Sequence, residues 1–198
     1  MRIAKRVENF WLPAPLLSVG DCAILFGLCA PQTCVNAHNP SSDMMHLKEG
    51  DAAPAFEGAD QDGNPLSLEQ FRGKKLVLYF YPKDDTPGCT KEACNLRDNY
   101  SDLLKRGFAV VGVSADTAKK HQKFIHKYEL PFPLLVDEDK TVINAYGVWG
   151  LKKFMGREYD GIHRVTFVID EEGRIEKIID KVKTADHTAQ ILEALAVS

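Results

Sequence analysis

Residues 75–81 form an almost unbroken apolar run, Leu76-Val77-Leu78-Tyr79-Phe80-Tyr81 after Lys75. Such a run reads as a strand covered on both faces, and Pro82 ends it. Residues 108–114 make a second strand of the same kind. Between them Ala93, Leu96, Tyr100, Leu103 and Leu104 recur at helical spacing, which predicts a helix from the loop at 82–88 to about Arg106, with Gly107 at its C′ position. A strand–helix–strand unit implies a parallel pair with a right-handed crossover. Upstream, residues 55–60 and Pro65-Leu66 flank Asp62-Gly63 and predict a hairpin. Ser67 then caps a short helix over 68–71, stopped by Gly73. Downstream, the pattern predicts a polar helix over 117–130 with Phe124, Ile125 and Tyr128 as its apolar stripe, a strand over 131–136 and a short helix over 141–146. A closing hairpin of 164–170 and 174–180 and a terminal helix over 185–196 complete the series. His121 and His126 fall on the polar helix and are expected in solvent. The sum is an α/β fold: a mixed central sheet with helices on both faces and an N-terminal β-hairpin.

The 198 residues are 44% hydrophobic and 27% charged, the make-up of one ordinary globular domain. Lys and Arg number 25 against 28 Asp and Glu, a net charge of -3. That balance excludes a broadly basic nucleic-acid surface and gives no reason to expect a membrane partner. Residues 1–43 read differently from the rest. Trp11-Leu12-Pro13-Ala14-Pro15 suits no regular element, and the apolar run from Cys22 to Ala30 is too short to span a bilayer. This stretch is expected to be a leader, signal-like or non-native, and poorly ordered, with the working domain at 44–198. Translation starting at Met44-Met45 implies a cytoplasmic protein. A signal peptide over 1–37, cleaved near Val35-Asn36-Ala37, implies export instead, although its positive residues lie far from the apolar run.

Five cysteines, Cys22, Cys29, Cys34, Cys89 and Cys94, are a poor disulfide framework. The spacing shared by Cys29/Cys34 and Cys89/Cys94 is wider than paired zinc ligands usually show. Within 44–198 only Cys89 and Cys94 remain. Cys89 sits where a buried strand hands over to a helix, the place where open α/β sheets put their ligands. Thr86 is a natural N-cap and Pro87 then takes the first helical position. Free backbone N–H groups and the helix dipole in that first turn favour a thiolate, the nucleophilic form. The alternative is a small buried hydrophobe, as free cysteines often are. Cys94 follows five residues later. In one helix the two Cα atoms lie about 8–9 Å apart, beyond disulfide reach, so a bond between them requires the helix to unwind locally. An inert helical cysteine is the other reading. No Cys-x-x-Cys is present in this domain, and Asn95 stands where a cysteine phosphatase needs arginine. Metalloprotease, P-loop and dinucleotide motifs are absent. No metal and no organic cofactor is implied.

Pro82-x-x-x-Thr86-x-x-Cys89 resembles the active-site motif of the peroxiredoxins. The longer run from Tyr79 through Thr86-Pro87-Gly88-Cys89-Thr90, Ala93-Cys94 and Arg97-Asp98 is similar to the bacterioferritin comigratory protein, or peroxiredoxin Q, subfamily. Gly147-Val148-Trp149-Gly150, Phe154-Met155-Gly156 and residues 160–170 resemble its later blocks. The likeness covers about 46–196. It implies a thioredoxin-like fold and a thiol peroxidase acting on hydrogen peroxide and organic hydroperoxides. On that resemblance Cys89 is the peroxidatic cysteine and becomes a sulfenic acid. Cys94 is the resolving cysteine, closing an intramolecular disulfide that thioredoxin or a similar dithiol reduces. Thr86 bonds thiolate and peroxide through its hydroxyl, Arg164 stabilises the thiolate and the leaving oxygen, and Pro82 shields the sulfur. A monomer is implied. Read from residues alone, Arg164 is equally a strand-end arginine in a surface pair. Glu92 either orients Arg164 or answers the helix dipole, and Trp149 either flanks the pocket or is core.

Two other functions fit the same pattern. A protein thiol–disulfide oxidoreductase is disfavoured by the missing Cys-x-x-Cys. A non-enzymatic redox sensor on this fold would oxidise without turning over.

Overall fold

A computed structural model describes residues 46–154 and 156–196 of the chain. The expectations for residues 1–43, including Cys22, Cys29 and Cys34, lie outside the described residues. Strands β1 (Glu57–Asp60) and β2 (Pro65–Ser67) form the N-terminal hairpin. Asp60 Oδ1 accepts the N–H groups of Asp62 and Asn64, and Gly63 takes φ +83° at the turn. A 3-10 turn over Leu68–Phe71 leads into β3 (Lys75–Phe80). Helices α1 (Pro87–Asp98) and α2 (Tyr100–Lys105) follow, then β4 (Phe108–Ser114), α3 (Ala118–Tyr128), β5 (Leu134–Val136) and α4 (Thr141–Ala145). Strands β6 (Trp149–Phe154), β7 (Arg157–Ile162), β8 (Val165–Ile169) and β9 (Ile175–Ile179) precede α5 (His187–Ala196).

Seven strands form one sheet in the order β2-β1-β5-β4-β3-β8-β9. β3 pairs in parallel with β4 and antiparallel with β8. The apolar run is explained by two cores. Leu76, Leu78 and Phe80 point into one, with Val142, Ile143 and Tyr146 of the α4 region. Val77, Tyr79 and Tyr81 point into the other, with Ala93, Leu96, Leu103, Phe124 and Ile191 from four helices. Period-two alternation thus feeds apolar side chains to both faces. β4 runs close beneath this second layer. A Cβ at Gly112 would stand 2.6 Å from Leu134 and 2.7 Å from the Tyr79 ring.

The structure corrects the expected single helix to Arg106. It breaks at Asn99, whose side-chain amide donates to the Asn95 carbonyl at 2.8 Å. Such local bonding offers the backbone an alternative to continued helix. Beyond the break Leu104 is exposed, not buried with the rest of its stripe. The β6–β7 hairpin is a further addition, with Trp149 opposite Ile162 and Phe154 opposite Arg157. Among the described residues no helix is long and apolar enough to cross a membrane.

Candidate active site

β3 ends at the loop that carries Pro82 and Thr86. Two aspartates hold this loop. Tyr81 Oη donates to Asp84 Oδ1 at 2.7 Å, and His121 Nδ1 lies 2.8 Å from Asp84 Oδ2. The Asp84 N–H donates to Asp116 Oδ2, itself paired with Lys120. His121 is therefore fully buried, contrary to its expected place in solvent. The partner that draws it inward lies 37 residues away in sequence. Asp85 adopts φ +55° and is held by Lys127 and Tyr128.

Thr86 occupies the N-cap of α1 and Pro87 follows it into the first turn, as expected. The side chain does not cap. Its hydroxyl donates to the Lys83 carbonyl at 3.1 Å and not to Cys89 as the family resemblance implied, while its oxygen remains an acceptor. Cys89, in the first turn, is buried. Arg164 Nη2 donates to its Sγ at 3.1 Å. Gly88 permits this approach, since a Cβ there would sit 3.3 Å from Arg164 Nη2. Arg164 Nη1 donates to Glu92 Oε2. The guanidinium therefore bridges the sulfur and a carboxylate one helical turn further on, a use of its rigid fork that a single ammonium could not match.

Glu92 is fully buried, and burial raises its carboxyl to about 7 against the opposing pull of Arg164. For Arg164 itself burial acts to lower the value, but Glu92 and Cys89 outweigh it and hold the guanidinium's pKa up. Behind Glu92 lies a residue that sequence reasoning missed. His187 Nε2 is 3.7 Å from Glu92 Oε1 and 2.9 Å from Thr166 Oγ1. Burial lowers this imidazole to about 4, so it is neutral at pH 7. No local signal marks it, because it enters from α5 and Thr166 from β8.

Cys94 is half-buried, on the same helix as Cys89, and both are free thiols. Five residues of unbroken helix separate them by about 7.5 Å along the axis. Pro82 lines a cavity of about 390 Å³ with Lys83, Asp116, Trp149, Lys152 and Ile162. Trp149 packs against the core, the second of its two expected places, and lies under the Lys140 ammonium. Among the described residues no group of three or more His, Cys, Asp or Glu could hold a metal ion.

A model of the AhpC/TSA family matches residues 49–178. The putative peroxiredoxin bcp of Coxiella burnetii is 51% identical over 151 residues, 76% of this chain and 100% of that protein. The chain belongs to this family of peroxiredoxins. Peroxiredoxin Bcp of Escherichia coli is 49% identical over 152 residues, covering 77% of this peroxiredoxin and 97% of its relative. Among solved structures, the bacterioferritin comigratory protein of Xanthomonas campestris superposes with a TM-score of 0.67 at 35% identity. That match covers 72% of this peroxiredoxin and 90% of the other chain, whose structure was solved to explain its alkyl peroxide reduction activity. The thioredoxin-like fold and the thiol peroxidase class read from the sequence therefore stand.

Proposed function

We propose that this peroxiredoxin reduces hydrogen peroxide and organic hydroperoxides with Cys89 as the attacking sulfur and Cys94 as its resolving partner. The observation that carries the assignment is the fork of Arg164, with one arm on Cys89 Sγ and the other on Glu92. A guanidinium so placed pairs with a thiolate and stays to meet charge developing on the departing oxygen. The Cys89 thiolate attacks one peroxide oxygen, the O–O bond breaks, and the alkoxide or hydroxide leaves and takes up a proton. Cys89 is left as a sulfenic acid. The Thr86 hydroxyl, with its proton committed to Lys83, accepts the hydrogen bond of the peroxide O–H. Pro82, four residues before the Thr86 cap, is assigned the shielding of the Cys89 sulfur from water on the family resemblance. The Cys94 thiol then displaces water from the sulfenic acid to form a disulfide, and thioredoxin or a similar dithiol returns both sulfurs to thiols.

The test is direct. Reduced protein is mixed with one equivalent of hydrogen peroxide, quenched within about a second and mapped by mass spectrometry. A Cys89–Cys94 linked peptide is expected. Two free thiols at that time would overturn the assignment.

A further inference from the structure

Disulfide closure between Cys89 and Cys94 needs α1 to come apart, and the structure contains one residue placed to decide where that stops. Asn95 directly follows Cys94 and ties α1 to the start of α5. Its Nδ2 donates to the Ala185 carbonyl at 2.8 Å, and its Oδ1 accepts the Thr188 N–H at 2.8 Å. Its own carbonyl accepts from the Asn99 side chain, from the Asn99 N–H and, at 3.4 Å, from the Thr188 hydroxyl. First-turn amides of a helix have no acceptor within their own helix. Asn95 supplies one for α5 from another helix, so the tie serves both elements. Two residues on, Arg97 Nη1 donates to the Tyr128 carbonyl and anchors the rest of α1.

The turns before Asn95 lack comparable ties to backbone. They are held by Glu92 and Cys89 through Arg164 and by the burial of Cys89 and Ala93. We propose that Asn95 is a positioning residue for resolution: it is the point at which unwinding ends, and it holds Cys94 still while the segment bearing Cys89 swings toward it. The proposal rests on the peroxidase reading above. The step it governs is Cys89–SOH plus Cys94–SH giving the Cys89–Cys94 disulfide and water. Carbonyls of the melted residues are lost as acceptors for the amides that follow them, up to Arg97. The Asn99 and Thr188 amides, whose acceptors belong to Asn95, keep theirs. A resolving thiol pinned to α5 meets the sulfenic acid at a higher effective concentration than one on a free coil.

Amide hydrogen exchange on the reduced and the disulfide forms of the full chain tests this without any substitution. After oxidation, the amides of residues 90–97 are expected to lose protection while those of Asn99 and Thr188 retain it. Loss of Thr188 protection on oxidation would show that the clasp opens, and would overturn the proposal. Asn95→Ala supplies the kinetic test by rapid mixing with hydrogen peroxide. Asn95 touches neither Cys89, Arg164 nor Thr86, so consumption of the first equivalent of peroxide is expected at the wild-type rate. Disulfide closure is expected to slow at least about tenfold, since both side-chain hydrogen bonds of the clasp are lost, and over-oxidation of Cys89 to rise accordingly. Closure at the wild-type rate or faster would overturn the hinge role. A Cys89 that fails to react with peroxide at all would instead overturn the peroxidase assignment.

Discussion

Arg164 reaches Cys89 across 75 residues of chain, and the sheet brings them together: Val165, the next residue, pairs with Phe80 at the end of β3. The arginine therefore meets the sulfur from a fixed strand end and spends its second arm on Glu92. Arg164→Ala is expected to slow the reaction of Cys89 with peroxide by roughly 10²–10³-fold. Arg164→Lys is expected to recover less than about a tenth of the wild-type rate, because an ammonium lacks the fork. Stopped-flow measurement of the first turnover checks both, and full activity in the lysine variant would refute the bridging role.

Glu92 is the counter-charge that lets Arg164 lie half-buried. Glu92→Ala removes it and leaves the guanidinium with Cys89 as its remaining partner. Loss of one partner from such a pair costs about 3–5 kcal/mol. Urea unfolding of the reduced protein at pH 8, where Glu92 is mostly charged, is expected to show a destabilisation approaching this order, and a smaller one for Glu92→Gln. A change under about 1 kcal/mol would place the pair among weak surface bridges.

The buried histidine gives a pH signature. The folded His187 titrates near 4, below the ordinary imidazole value of 6.5. Its neutral burial contributes stability that is fully present above 6.5 and is lost as pH falls toward 4. Glu92 acts in the opposite sense. Its raised value, about 7 against 4.5, contributes stability present below 4.5 and lost as pH rises through 7. Between about 4.5 and 6.5 the two trends offset each other. In His187→Gln only the Glu92 trend remains, so the variant's stability is expected to fall relative to wild type by about 1.4 kcal/mol per pH unit across that window. Parallel stability curves for the two proteins would contradict this account.

Gly112→Ala adds a methyl where Leu134 and the Tyr79 ring already stand within 2.7 Å. The packed layer around it is rigid. A loss of about 1–3 kcal/mol is expected, read as a lowered urea midpoint, with the peroxide reaction of the folded fraction unchanged.

The central strands, the order of elements and the place of Cys89 were legible because each leaves a local mark: unbroken apolar runs, a Thr-Pro helix entry, a cysteine in the first turn. The β6–β7 hairpin left none. Residues 157–160 are exposed, so no alternation of buried and exposed positions marked the strand. The break at Asn99 was hidden because Ala93, Leu96, Tyr100 and Leu103 keep their common face across it. His121 and His187 were unreadable for a different reason. Each is buried by a partner from a distant element, Asp84 for the first and Glu92 with Thr166 for the second. Arg164 lacked any local mark and came from family resemblance alone.

The pairing of Phe80 with Val165 also sets when the chemistry is born. A chain still leaving the ribosome carries Cys89 long before its guanidinium has been made. Until β8 is synthesised and docks along β3, that thiol has neither Arg164 nor the Glu92 contact to shape it. The surroundings that activate the thiol are thus complete only when the last part of the sequence, from Arg164 on, has paired β8 with β3.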